Sequence, residues 1–191
     1  MKVATEVAGE KHVLDCLEYG VDMVWIGART TASPFLVQEI ADALKGKDIP
    51  VLVKNPVNPD IDLWIGALER LNQAGIRKLG VVHRGFSSTE KIPYRNFPGW
   101  QLAVELRTRY PELPFFADPS HMGGDRKYLH EISQRALDLG LDGLMVETHC
   151  DPSCAMSDAR QQITPEEFGR LISGLIVRQN DTDSPDYKEN M

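Results

Sequence analysis

Cysteine is scarce in this chain: 191 residues contain three, Cys16, Cys150 and Cys154. So few, and an odd number, exclude a disulfide-stapled scaffold and fit a reducing, cytoplasmic setting. Basic residues are outnumbered, 21 Lys and Arg against 28 Asp and Glu, for a formal net charge of -7. That balance argues against a general binder of nucleic acid or membrane surfaces, since both favour basic protein surface. Long apolar runs are missing as well. No stretch approaches the roughly 18 residues of a membrane span. The opening Met1-Lys2-Val3-Ala4-Thr5-Glu6 has none of the apolar region of a secretory leader.

What is present is enough apolar residue for one domain with a core, 42% of the chain. Short β-branched runs at residues 3–7, 23–27, 51–54, 79–83, 115–118 and 143–147 read as strands. Their spacing of roughly 28 residues is that of a βα unit. Between them lie helical stripes, Ile61, Trp64, Ile65, Leu68 and Leu71 in one, Phe168, Leu171, Ile172 and Leu175 in another. The second opens with Thr164-Pro165-Glu166-Glu167, an N-cap, a proline at the first helical position and a capping-box glutamate. Strands apolar on both faces imply an α/β fold with a parallel sheet. Six βα units fit either an open doubly wound sheet or a (β/α)8 barrel lacking its first quarter, and periodicity does not choose between them. Residues 1–178 are expected to form this domain, and the polar residues 179–191, with Asp181-Thr-Asp-Ser-Pro-Asp186, a tail or linker.

Polar residues collect where the strands end. Arg29, Lys54 and Arg84 follow or close the second, third and fourth strands. Parallel strands bring these ends to one rim, so three cations converge over about 10 Å (strands lie ~4.8 Å apart) and call for an anionic guest such as phosphate or carboxylate. His121, Glu147 and Asp158 follow the last two strands, a nitrogen and oxygen donor set suited to a divalent metal. Three further signals are weaker. His149-Cys150 with Cys154 is half of a zinc pattern without its second pair, Cys16 sits on the apolar side of a helix, and Gly123-Gly124-Asp125 reads as a phosphate seat or a plain turn.

Six motifs in order, Ile26-Gly-Ala-Arg-Thr30, Val51-Leu-Val-Lys-Asn55, His83-Arg-Gly85, Asp118-Pro-Ser-His121, Val146-Glu147 and Met156-Ser-Asp158, closely resemble the 3-deoxy-D-arabino-heptulosonate 7-phosphate (DAHP) synthases. The likeness is to the type I beta branch, in particular to forms fused to a chorismate mutase domain. It implies a TIM barrel of which about six βα units are present. It also implies condensation of phosphoenolpyruvate with erythrose 4-phosphate, the first step of the shikimate pathway to aromatic amino acids. Carried over by motif, Glu6, Arg29, Lys54 and Arg84 bind phosphoenolpyruvate, Lys54 and His121 are catalytic, and His121, Glu147 and Asp158 hold a divalent metal, Mn2+ or similar. The family's earlier Gly-Pro-Cys-Ser and Lys-Pro-Arg-Thr segments do not occur in this sequence, and none of its cysteines matches the ligand cysteine. The expectation is therefore a truncated synthase with little or no activity alone, self-associating through exposed edges or forming a homo-oligomer. Two alternatives stand beside it: the related 3-deoxy-octulosonate 8-phosphate synthase, and a non-catalytic barrel remnant.

Overall fold

The computed structural model describes residues 1–177, so the expected tail lies outside the described residues. Six parallel strands, β1 (Ala4–Val7), β2 (Met23–Ile26), β3 (Val51–Lys54), β4 (Leu79–His83), β5 (Phe115–Ala117) and β6 (Gly143–Leu144), form one sheet in the order of the chain. That order excludes the doubly wound alternative, which needs a switch point where strand order reverses. With right-handed crossovers and no reversal, every connecting helix falls on the same face of the sheet. This is the layout of a barrel wall, six βα units of a (β/α)8 fold.

The helices are α1 (Glu10–Glu18), α2 (Ala28–Thr31), α3 (Pro34–Leu44), α4 (Ile61–Gln73), α5 (Trp100–Arg109), α6 (Pro119–Gly123), α7 (Leu129–Asp138) and α8 (Pro165–Gly174). Short 3-10 turns follow α6 (Arg126–Tyr128) and β6 (Pro152–Cys154). The core lies between sheet and helices. Val7, Val24, Ile26, Val53, Val81, Phe115 and Ala117 face Val13, Ile40, Trp64, Leu71 and Leu106 across it. Trp64, from the stripe of α4, is fully buried, donates Nε1 to the Val53 carbonyl at 3.1 Å and meets Phe115 edge-on at 5.7 Å. Its truncation to alanine would cost about 3–5 kcal/mol. Strand alternation turns the intervening residues, Glu6, Trp25, Leu52, Lys54, Val82 and Phe116, to the opposite, concave face.

Two sequence expectations need correction. The last strand is two residues long instead of five, pairing with β5 only over Gly143 and Leu144. After Met145 donates to the Ala117 carbonyl, the chain turns away and Thr148 bridges Ile163 instead. The apolar stripe of α8 is only partly covered: Leu171 packs with Leu129 and Ile163, but Phe168 is 37% and Ile172 44% exposed. The helix rests on α7 at the open edge of the sheet, with no further helix among the described residues to bury its outer flank. Its start is as read, with Thr164 and Glu167 forming a reciprocal capping box behind Pro165.

Candidate functional site

Asp118 organises the site. It is the first residue beyond β5 and the N-cap of α6, so its position is fixed by a strand on one side and a helix on the other. One carboxylate oxygen, Oδ1, accepts from the His121 backbone N–H at 3.0 Å. The other, Oδ2, is shared: Lys54 Nζ donates to it at 2.8 Å and His121 Nδ1 at 2.9 Å. Asp118 is 1% exposed. Burial pushes its pKa up, but the hydrogen bonds from His121 and the Lys54 ammonium outweigh that and hold it at about 2. It is a buried carboxylate that stays charged.

With Nδ1–H committed to Asp118, the lone pair of His121 Nε2 faces outward. Glu147 Oε1 lies 3.4 Å from Nε2 and Asp158 Oδ2 3.9 Å from it. The three donor atoms all fall within 4.8 Å of one another. Donors 2.0–2.2 Å from a common ion lie about 3–4 Å apart, so small side-chain rotations suffice to close the set. One imidazole and two carboxylates suit a hard or borderline divalent ion, and the Asp118–His121 pair is the carboxylate–histidine arrangement that fixes a metal-binding tautomer. Glu147 is delivered by the shortened β6 and tied down where its N–H donates to Ser120 Oγ at 3.0 Å. Asp158 sits in a turn at φ 52, a left-handed conformation that Asp tolerates better than most residues.

The cations gather beside this set. Lys54, closing β3, is 6% exposed and also lies 5.8 Å from the centre of the Trp25 ring. Trp25 in turn donates Nε1 to Glu6 Oε2 at 3.0 Å, and Gly27 leaves room for that carboxylate, since a Cβ there would stand 2.3 Å from Glu6 Oε1. Arg84 is locked by Asn55, whose side-chain oxygen accepts the Arg84 N–H at 2.7 Å and whose NH2 donates to the Gly85 carbonyl at 2.8 Å. The Arg84 pKa is lowered, first by burial and then by the charges of Arg95 and Arg29, with Asp118 and Asp158 opposing. Arg29, in α2, is thus close enough for its charge to act on Arg84. Lys54, through Asp118, and Arg84, through Asn96, both reach His121, and Glu6 borders Lys54 through Trp25.

Four residues that sequence reasoning passed over complete the arrangement. Asp118 opens the Asp-Pro-Ser-His121 segment, which reads locally as a helix cap. Asn96 accepts from Arg84 Nη1 at 2.8 Å and donates to the His121 carbonyl at 2.7 Å, joining the cation cluster to the ligand helix. Arg95 and Gln161 contact Asp158 and Glu147. Asn96 is 8% and Gln161 1% exposed, and a buried polar residue in a loop carries no periodic signal. The weaker signals resolve blandly. Cys16 is buried, whereas Cys150 and Cys154 are exposed and join no metal-binding group among the described residues. Gly124 ends α6 at φ 66 and Asp125 caps the next 3-10 turn while pairing with Arg160, so the glycine pair is a plain turn. A cavity of about 900 Å³, lined by Met23, Leu52, Gly80, Pro114 and Phe116, lies on the concave face toward the other ends of the strands, away from this chemistry.

The chain shares 31% identity over 175 residues with a phospho-2-dehydro-3-deoxyheptonate aldolase from Thermotoga maritima, 92% of this chain and 50% of that protein. A 2-dehydro-3-deoxyphosphooctonate aldolase from Desulfotalea psychrophila is more distant, 28% identical over 153 residues, covering 72% of this chain and 50% of its own length. Among solved structures, a truncated form of 3-deoxy-D-arabino-heptulosonate 7-phosphate synthase from Thermotoga maritima superposes with a TM-score of 0.80 at 31% identity, over 91% of this chain and 63% of that one. The chain thus spans about half the length of the curated relatives it matches. No helix among the described residues is long and apolar enough to cross a membrane. The sequential barrel wall, the strand-end cations and the His-Glu-Asp set agree with a family-model match over residues 1–181: the chain belongs to the DAHP synthetase I family.

Proposed function

We propose that this chain carries the phosphoenolpyruvate and divalent-metal half of a DAHP synthase site, for condensation of phosphoenolpyruvate, erythrose 4-phosphate and one water to 3-deoxy-D-arabino-heptulosonate 7-phosphate and phosphate. The observation that carries this reading is the shared Asp118 oxygen, which couples Lys54, an anion-binding cation, to His121, a metal-ligating imidazole, at 2.8 and 2.9 Å. Arg29, Lys54 and Arg84 neutralise the enol phosphate and carboxylate, and the buried Lys54 orients them at the end of β3. Glu6 borders this pocket through Trp25. His121, Glu147 and Asp158 would hold Mn2+ or a similar ion, which supplies Lewis-acid polarisation of the aldehyde substrate. Lys54 and His121, both hydrogen-bonded to Asp118, then act differently: the Lys54 ammonium can hold or pass a proton near the reacting atoms, whereas His121 contributes through the metal its Nε2 would hold.

The same reading makes the protein cytoplasmic, consistent with three free cysteines. It also makes the protein self-associating, because Phe168 and Ile172 are exposed on α8 and β1 and β6 end the sheet unpaired among the described residues. Size-exclusion chromatography with light scattering checks the second point.

Calorimetric titration with Mn2+ and with phosphoenolpyruvate tests the core of the proposal. Both should bind, His121→Ala should abolish the first, and Arg84→Ala should weaken the second by tenfold or more, about 1.4 kcal/mol. Phosphate release with erythrose 4-phosphate should be slow or absent in the 191-residue chain, since its sequence holds neither the Gly-Pro-Cys-Ser nor the Lys-Pro-Arg-Thr segment. Any turnover should prefer erythrose 4-phosphate to arabinose 5-phosphate. Binding of neither Mn2+ nor phosphoenolpyruvate would favour a non-catalytic barrel remnant.

A further inference from the structure

Each carboxylate of the ligand set has one oxygen already occupied. Arg95 Nη1 donates to Asp158 Oδ1 at 2.7 Å, and Gln161 Nε2 donates to Glu147 Oε2 at 2.8 Å. The two clamps are joined, because Arg95 Nη1 also donates to Gln161 Oε1 at 2.8 Å. Gln161 therefore has its amide orientation set at both ends, an acceptor toward the guanidinium and a donor toward the carboxylate, and it is 1% exposed. Arg95 is anchored in turn by its backbone N–H on the Gly123 carbonyl at 3.2 Å, two residues beyond His121. What remains free is Glu147 Oε1 and Asp158 Oδ2, the two atoms that face His121 Nε2 at 3.4 and 3.9 Å.

We infer that Arg95 and Gln161 are positioning residues that hold Glu147 and Asp158 as one-oxygen donors and so make the site selective for a small divalent ion over Ca2+. The inference rests on the metal reading above and adds a reason for its selectivity. Ca2+ takes six to eight oxygens and commonly two from one carboxylate, whereas smaller ions accept a compact set completed by water. A carboxylate whose second oxygen already accepts from Arg95 or Gln161 is turned to present its other oxygen, and offering both to one ion requires rotation against a charge-assisted hydrogen bond. An isolated exposed Arg95–Asp158 pair would have little effect on the site. The buried Gln161 makes the difference, since it transmits the same constraint to Glu147.

The test uses the 191-residue chain, with Mn2+ affinity read by calorimetry or by the Mn2+ paramagnetic resonance signal, and Ca2+ by competition. Arg95→Met and Gln161→Leu should each weaken Mn2+ by about 10- to 100-fold, the usual effect of losing an outer-sphere partner. They should weaken Ca2+ less, so that the preference for Mn2+ narrows, and Arg95→Lys should recover part of it. A purely structural defect would lower both affinities in parallel and leave the preference unchanged. Should Gln161→Leu lose its helical circular dichroism, Arg95→Met decides, because that side chain is 42% exposed and its loss leaves the core intact. Mn2+ affinity within about threefold of the parent in Arg95→Met, or a parallel fall for both ions, would overturn the inference. A parent chain that binds no Mn2+ would overturn the metal reading itself, a result distinguishable from unchanged binding in the variants.

Discussion

Lys54→Met is the sharpest perturbation of this site. The ammonium lies 2.8 Å from Asp118 Oδ2, with the two side chains 8% and 1% exposed. Methionine fills most of the lysine volume, so the change removes charge with little cavity. Breaking a buried ion pair from one side costs 3–5 kcal/mol, because the remaining charge is stranded away from water. Asp118 keeps its bonds from the His121 N–H and Nδ1, which places the expected loss at the lower end, about 3 kcal/mol. For a chain of this size that is a fall in melting temperature of about 6–12 °C.

Urea denaturation at pH 7 reads the loss directly, since Asp118 is fully charged there. Two controls make the argument refutable. The double variant Lys54→Met/Asp118→Asn should recover most of the stability, because it removes the stranded charge as well as its partner. The gap between Lys54→Met and parent should also narrow on acidification. Asp118 has a folded pKa of about 2 against 3.8 unfolded, so its contribution is complete above 3.8 and lost as pH falls through 2. A loss under about 1 kcal/mol, or a double variant no more stable than the single one, would show that the pair is not the buried bridge described.

His83 closes β4 fully buried, with Nδ1 unpartnered and Nε2 donating to the Pro98 carbonyl; burial lowers its pKa to about 4 despite that bond. The unfolded chain takes up the proton first, near 6.5, so stability is complete above 6.5 and falls toward pH 4 by up to roughly 3 kcal/mol at 1.36 kcal/mol per pKa unit; His83→Phe should flatten that slope in urea titrations. A thiol-reactive dye should modify exposed Cys150 and Cys154 in the native chain and buried Cys16 only on unfolding. Cys154 should react after Cys150, since desolvation and the Asp151 carboxylate raise its thiol pKa. Gly124→Ala should lower stability by about 1–3 kcal/mol and weaken Mn2+ binding, because φ is 66 and the new Cβ would stand 2.4 Å from the Arg95 Cβ.

The strands were legible because β-branched runs between helical stripes have few other readings, and β3 and β4 fall on the expected residues. Strand order was not, because periodicity describes one element at a time, and only the pairing of each strand with the next separates a barrel wall from a doubly wound sheet. The same limit explains β6 and α8, whose extents depend on neighbours that a local pattern cannot see. In the site, His121, Glu147 and Asp158 stood out through their placement at strand ends, and the structure brings their donor atoms together. The second role of Asp118 was hidden, since Asp-Pro-Ser-His reads locally as a helix cap and its partner Lys54 lies 64 residues away. Arg95 and Asn96 reach the site from the long loop after β4, where Phe86 and Phe97 pair and the Arg95 and Asn96 N–H groups donate to the Gly123 and Met122 carbonyls.

These hidden residues make the two halves of the site interdependent. Asp118 links Lys54 to His121 through one oxygen, and Asn96 links Arg84 to the His121 carbonyl. An anion that draws the Lys54 ammonium toward itself leaves more of the Asp118 charge to His121 and makes Nε2 a better donor, and the anion's own charge favours a nearby cation. Both effects have the same sign, so phosphoenolpyruvate and Mn2+ should each tighten the binding of the other, by one common factor because linkage is reciprocal. A coupling of 1–3 kcal/mol corresponds to about 5- to 150-fold in either affinity. Titrating Mn2+ with and without saturating phosphoenolpyruvate measures it, and Asp118→Asn should reduce it while leaving Arg84 in place to bind the anion. Equal Mn2+ affinity in both titrations would mean that the shared carboxylate holds the two sites together without letting either sense the other.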